Sequence, residues 1–205
     1  MLHDLANYIT AITGQVQIAE IIAKDDNNMR VINHLKKSQL SILNTKLYLK
    51  QIRLAMDPEY LLRAHKLNLS QILATELIQS DVACTVRGDQ NCLVLSDTVI
   101  LQGVLINIYA NAIEKSAKSL DLNISDLGNM VSLIIQNNGE PMPGIIKEKL
   151  FHEKISANIN HQGTGKLFTS YRLLKEIDER HEFSLIEKPD AEFTVGIQLI
   201  LPKAT

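Results

Sequence analysis

The first 56 residues carry apolar side chains at helical spacing. Leu5, Ile9, Ile12, Val16, Ala19 and Ala23 follow one another at steps of four, three, four, three and four. Such a heptad-like stripe belongs to a helix that packs against other helices. The polar run Lys24-Asp25-Asp26-Asn27-Asn28 interrupts it and predicts a tight loop. A second helix is predicted from about Met29 to Ala55, with Ile32, Leu35, Leu40, Leu43, Leu47 and Leu54 among its apolar residues. The chain holds nine glycines and five prolines, yet this stretch has only Gly14 and no proline, so nothing breaks either helix. Two helices with a short connection make an antiparallel hairpin. A lone hairpin cannot bury a stripe on both helices. Self-association into a dimeric four-helix bundle is therefore expected, with packing onto the rest of the same chain as the alternative.

Met56-Asp57-Pro58-Glu59 ends the helical pattern, because the residue before a proline is pushed out of the helical region. This divides the chain into residues 1–56 and 57–205. Beyond it the pattern is mixed. Leu69 to Ile78 predicts a helix capped by Ser70. Val82 to Arg87 and Cys92 to Leu95 predict strands. Ser96 or Asp97 can cap a long helix running to about Lys118. Leu120–Ile124 and Met130–Gln136 predict a hairpin around Asp126-Leu127-Gly128-Asn129. A loop-rich stretch from Asn137 to Gly165 precedes a helix from about Leu167 to Asp178. Glu182–Glu187 and Glu192–Leu201 predict a closing hairpin. Irregular alternation with hairpin-joined strands predicts an α+β fold, a mostly antiparallel sheet with helices on one face.

Composition narrows the classes. Apolar residues are 45% and charged residues 21%, which excludes disordered and low-complexity proteins. Lys and Arg number 21 against 23 Asp and Glu, for a net charge of −2. With no basic cluster, no nucleic-acid partner is expected. No apolar run reaches the roughly 18 residues of a membrane span, and no signal peptide opens the chain. Cys84 and Cys92 cannot form a disulfide scaffold, and neither has a partner at metal spacing; both fit a reducing, cytoplasmic setting.

Four short constellations carry candidate chemistry. His3-Asp4-Leu5-Ala6-Asn7 puts His3 and Asn7 four apart on one helix face. A carboxylate accepting the Nδ1 proton of a histidine fixes the tautomer and leaves Nε2 as a nucleophile. A solvated His-Asp pair fits the same residues. Asn107 and Asn111 are again four apart, on an otherwise apolar helix. Buried amides need partners, and an amide oxygen suits a hard cation such as Mg²⁺; two structural amides bonded to loops fit equally. In Asn137-Asn138-Gly139-Glu140-Pro141-Met142-Pro143, Asn137 can present an amide edge to a base, or the segment is a proline-rich turn. Gly163-Thr164-Gly165-Lys166 precedes a helix, where backbone N–H groups can receive a phosphate; a simple loop-to-helix turn is the alternative.

In their order and at about their distances, the four constellations resemble the catalytic core of two-component sensor histidine kinases, over essentially the whole chain. His3–Ile12 is similar to that family's H-[ED]-x-x-[NT] box, Asn107–Ala112 to its N-x-x-x-N-A box, and Asn137–Pro143 to its D-x-G box. Leu150-Phe151 through Ser156 is similar to its L-F segment, and Gly163–Gly165 to its second glycine box. The resemblance implies a dimerisation and histidine-phosphotransfer hairpin followed by an α/β sandwich of the histidine-kinase ATPase type. It implies His3 as phospho-acceptor, Asp4 as its activating base, and Asn7 as the residue positioning water for dephosphorylation of a response regulator. It implies Asn111 as the Mg²⁺ ligand, supported by Asn107. Asn137 would read adenine beside Gly139. Gly163 and Gly165, next to Lys166, would shape the phosphate lid over ATP.

Three positions depart from the family pattern. Asn137 replaces the adenine-reading Asp, and an amide oxygen can still accept a bond from the adenine amino group. Lys166-Leu167 stands where Leu-Gly is usual. Glu114 occupies the place of a basic residue, with Lys115 next to it. The leading expectation is a cytoplasmic, homodimeric protein-histidine kinase. It would use ATP and Mg²⁺, phosphorylate itself on His3 and pass the phosphoryl group to a response-regulator receiver domain. The rival is a histidine phosphotransferase with a degenerate ATPase-like domain that relays phosphate without ATP. A non-catalytic dimerisation scaffold is the third possibility.

Overall fold

The computed structural model describes residues 2–56, 64–77, 82–142, 172–186 and 192–204. The chain divides into two compact units, residues 1–60 and 61–205.

The first unit is a pair of helices, α1 (Leu2–Asp25) and α2 (Met29–Met56). Asn27 sits at φ 52°, a left-handed conformation that Asn tolerates better than most residues, and it ends α1. Asn28 then caps α2 by accepting the Val31 N–H at 3.2 Å. The predicted stripe of α1 is unevenly buried: Ile9 and Ala23 are buried and Ile12 is about half exposed, while Ile18 and Ile22 are about half exposed on another face. Across the hairpin Gln39 donates to Glu20, which also pairs with Lys24 at 2.7 Å. These bonds hold the Glu20 carboxyl below its usual range.

The second unit holds the sheet. Its elements are β1 (His65–Asn68), α3 (Leu69–Leu77), β2 (Ala83–Gly88), β3 (Leu93–Ser96), α4 (Thr98–Glu114), β4 (Ser119–Asp126), β5 (Met130–Asn137), β6 (Glu182–Ile186) and β7 (Val195–Pro202). Residues 172–177 are also helical. The five-stranded sheet runs β2-β4-β5-β7-β6, and β1 pairs with β3 in a separate ribbon. All pairs are antiparallel except β2 with β4. Gly88 ends β2 at φ +86°, where a Cβ would lie 1.9 Å from the Ile124 carbonyl oxygen; only glycine fits.

Alternation sorts the two faces of the sheet. Leu120, Leu122 and Ile124 of β4, Val131, Leu133 and Ile135 of β5, and Ile197, Leu199 and Leu201 of β7 are all buried. Leu73 of α3 and Leu105, Ile108 and Tyr109 of α4 converge on Leu120, Leu122 and Ile135. The other face is more polar, with Gln198 Nε2 donating to Ser132 Oγ at 2.9 Å. The α+β expectation and its antiparallel hairpins match this architecture.

Several local expectations shift. The strand β1 is absent from the sequence reading, since its four residues lack β-branched side chains and gain their conformation from pairing with β3. The cap of α3 is Asn68, whose Oδ1 accepts the Gln71 N–H at 3.0 Å; Ser70 instead donates to the Gln90 carbonyl. The long helix α4 ends at Glu114, short of Lys118, because Ser116 turns to φ 58°. The proline-containing boundary at residues 57–63 and the first part of the helix expected from Leu167 lie outside the described residues.

Asp97 caps α4, its Oδ1 accepting the N–H groups of Val99 at 2.9 Å and Ile100 at 3.1 Å. The carboxylate is buried. Asp97→Ala is expected to cost about 0.5–2 kcal/mol, read from chemical denaturation.

His181 is 1% exposed and its Nδ1 lies 2.9 Å from the Asp178 carbonyl oxygen. Burial pushes its imidazole below the usual histidine value. Asp178 itself is held down at about 2 by the Arg180 side chain. A histidine kept neutral in the fold takes up protons on unfolding. Stability is therefore expected to be full above about pH 6.5 and to fall as pH drops through that value toward the lowered folded pKa. Denaturation at about pH 7.5 and about pH 5.5 checks this, with His181→Gln expected to flatten the difference.

Candidate nucleotide site

The site begins where α4 ends. Asn107 is 3% exposed and Asn111, one turn later, is half-buried. Both lie on a helix whose remaining residues are mostly apolar and buried. The Asn111 carbonyl accepts the Lys115 N–H at 3.0 Å, closing the last turn. The last carbonyls of a helix lack intrahelical donors. Here the Lys115 carbonyl is satisfied by the Glu140 N–H at 2.9 Å, a donor from the segment after β5.

That segment is the Asn137–Glu140 turn. Asn137 follows Ile135 on the core-facing row of β5 and is 6% exposed. Its Oδ1 accepts the Gly139 N–H at 3.1 Å. Asn138 fastens the turn to the start of β4, accepting the N–H groups of Lys118 at 2.8 Å and Ser119 at 2.9 Å. Gly139 lies so close under the helix end that a Cβ would stand 2.7 Å from the Lys115 carbonyl oxygen. Lys115 Nζ and the Glu140 carboxylate are 3.7 Å apart and exposed, a pairing worth little in water.

Thr194 completes the turn. Its N–H donates to the Asn137 carbonyl at 2.9 Å, and its hydroxyl lies 3.3 Å from the same oxygen and also donates to the Gly139 carbonyl. Sequence reading missed this residue. Its only signal was a position just ahead of the last strand, and the partner lies 57 residues away.

The structure thus holds the Asn137–Glu140 turn against the end of α4 at Lys115, with Asn111 one turn and Asn107 two turns earlier on that helix. Asn111 makes no side-chain hydrogen bond with a described residue. A half-buried amide oxygen of this kind fits a hard cation that keeps most of its water. Gly163, Gly165, Lys166 and the Leu150–Ser156 segment lie outside the described residues. In the other unit, α1 carries His3, Asp4 and Asn7 in its first two turns; their side chains are outside the described residues too.

The Asn137 side chain is oriented by its own turn. Its oxygen is the atom turned into the turn, since a backbone N–H requires an acceptor. The end of the amide directed elsewhere is Nδ2, a donor.

Among the described residues one group of possible metal ligands comes together, Asp89, Cys92 and Asp126. It lies at the far ends of β2 and β4 from the Asn137 turn. Lys203 already pairs with Asp126, and burial raises the Cys92 thiol pKa.

No family model and no curated protein matches the chain. Solved structures do. The nucleotide-free catalytic domain of histidine kinase ThkA is similar over 68% of this chain and 95% of its own, at TM-score 0.52 and 20% identity. The ATP binding domain of PrrB from Mycobacterium tuberculosis is similar over 70% and 99%, at 0.54 and 17%. The mycobacterial sensor histidine kinase MprB is similar over 68% and 97%, at 0.50 and 14%. The chain has the fold of histidine-kinase catalytic domains. The likeness extends to fold and speaks for that domain, not for the helical hairpin.

Gly139→Ala is expected to destabilise the protein by about 1–3 kcal/mol, because a backbone carbonyl cannot move aside as a side chain would. Gly14 lies within α1 with open space around it, so Gly14→Ala is expected to be neutral or to stabilise by up to about 1 kcal/mol. Parallel denaturation curves compare the two.

Proposed function

We propose that the chain is the core of a two-component protein-histidine kinase. The observation that carries this is the fold of histidine-kinase catalytic domains, with Asn107 and Asn111 on α4 and the Asn137–Glu140 turn held against the end of that helix at a junction of α4 and β5. A nucleoside triphosphate is the substrate of that junction. Asn137 and Thr194 sit at its base end, and Asn111, backed by Asn107, holds Mg²⁺ on the phosphate side. When bound, Mg²⁺ neutralises phosphate charge. The glycines Gly163 and Gly165, with Lys166, belong to the phosphate lid.

Transfer ends on His3. With Asp4 accepting the Nδ1 proton in a hydrogen bond, the Nε2 lone pair forms the new N–P bond as the bond from the γ-phosphorus to the departing diphosphate breaks. Asn7, one turn along α1, positions water when the receiver domain of a response regulator is dephosphorylated. The half-exposed Ile12, Ile18 and Ile22 of α1 support a homodimer, since a second hairpin would cover them.

One observation favours a second reading. Asn137 has one acceptor oxygen where the family pattern has a carboxylate with two, and that oxygen already accepts the Gly139 N–H. A histidine phosphotransferase, relaying phosphate between receiver domains without ATP, has no use for the second acceptor.

Radiolabel transfer tests both. Label supplied from the γ-position of a nucleoside triphosphate, or from a phosphorylated receiver domain, is expected to enter the intact chain as an acid-labile, base-stable phosphoryl group. His3→Gln is expected to abolish it. Label from the receiver alone selects the phosphotransferase, and equal labelling of both chains removes His3 from the mechanism.

A further inference from the structure

Asn138-Gly139 is the one Asn–Gly pair in the sequence. Such a pair carries its own chemistry. The main-chain nitrogen of the second residue can attack the side-chain carbonyl carbon of the first, and glycine has no Cβ to screen that nitrogen. Asn138 is exposed, so water reaches it. The groups that must react are nevertheless bonded. The Gly139 N–H donates to Asn137 Oδ1 at 3.1 Å. Asn138 Oδ1 accepts the N–H groups of Lys118 at 2.8 Å and Ser119 at 2.9 Å. On the far side of the pair, the Thr194 hydroxyl donates to the Gly139 carbonyl, and the Glu140 N–H donates to the Lys115 carbonyl at 2.9 Å. Two donors on Oδ1 polarise the Asn138 carbonyl and favour attack. Geometry opposes it. In a planar trans peptide, closing the ring puts Asn138 Cγ where the Gly139 amide hydrogen was. The Asn137 oxygen occupies that direction in the folded turn.

We infer that Asn138–Gly139 is a site of spontaneous deamidation whose rate is set by opening of the turn. In the open turn the Gly139 nitrogen bonds to Asn138 Cγ, the Cγ–Nδ2 bond breaks, and Nδ2 leaves as ammonia with the Gly139 proton. Water then opens the succinimide on one side or the other. Breaking the bond from nitrogen to Cγ gives aspartate on an unchanged main chain. A carboxylate oxygen then accepts the Lys118 and Ser119 N–H groups as Oδ1 did, and the turn rebuilds. Breaking the main-chain bond instead gives isoaspartate. The main chain now runs through Cβ and Cγ and is one atom longer. Gly139 fits so closely under the Lys115 carbonyl that no slack absorbs the added atom. An opening that ends in isoaspartate therefore releases the turn from the end of α4 irreversibly. The inference needs no ligand and stands apart from the nucleotide reading.

Peptide mass mapping of the full chain, held at mildly alkaline pH both folded and in guanidinium chloride, tests the inference. The peptide holding Asn138 is expected to gain the mass of an NH₂-to-OH exchange at least about tenfold more slowly in the folded chain than in the unfolded one. Thr194→Val removes the hydroxyl bond to the Gly139 carbonyl. It is expected to raise the folded rate and leave the unfolded rate unchanged. The isoaspartyl form, separated by chromatography, is expected to melt below the parent, and Asn138→Asp to melt with the parent. The unmutated chain decides the gating even if either variant fails to fold. Equal rates in the two states, or a faster rate in the folded one, overturn the gating. An Asn138 that stays unmodified in denaturant overturns the site. An isoaspartyl form that melts with the parent overturns the release of the turn.

Discussion

The candidate site depends on one hydrogen bond, from the Glu140 N–H to the Lys115 carbonyl. A helix end leaves carbonyls without donors, and a buried end needs them supplied from elsewhere. Here the donor comes from the segment that follows β5. The price of the arrangement is a glycine at 139, because the approach leaves no room for a side chain. In return the ends of α4 and β5 share one frame, and the two amide-bearing segments occupy fixed places relative to each other. Asn138 and Thr194 extend the same frame to β4 and to the residue before β7.

Much of the fold was legible because its signals are local. The α1–α2 turn is written in Asn27 and Asn28, and the α4 start in Asp97, each acting within three residues of itself. What was illegible is what distant strands impose. The strand β1 is extended because β3 lies beside it, and Leu69 to Leu77 is capped by a residue assigned to that strand. For the candidate site, spacing singled out Asn107, Asn111, Asn137 and Gly139 as candidates. It did not reveal that the Asn137 oxygen accepts the Gly139 N–H of its own turn, since sequence shows which atoms a side chain has and not which way it faces. Thr194 was invisible for a related reason: its role comes from contacts across 55 and 57 residues.

The two units solve opposite problems. Residues 61–205 bury a contiguous apolar layer between α3, α4 and the sheet, so most of their stability is internal. The helix α1 carries apolar residues on two faces, and among the described residues Ile9 and Ala23 mark the one that the hairpin buries. No helix of the described chain is long and apolar enough to cross a membrane, so the second face is not explained by a membrane span.

The pairing of Asn137 with Val195 places two strands side by side that are far apart in the chain. The segment between them supplies β6 to the edge of the sheet beside β7, so β5 and β7 meet by closing a long excursion of the chain. The entropy of closing such an excursion grows only with the logarithm of its length, about 0.6 kcal/mol for each doubling. The sheet is thus nearly indifferent to how many residues the excursion holds. Insertions or deletions in the stretch carrying the glycine pair would leave β5 and β7 in register. This part of the molecule can diverge in length and sequence at little cost to folding, while the strands that anchor it cannot.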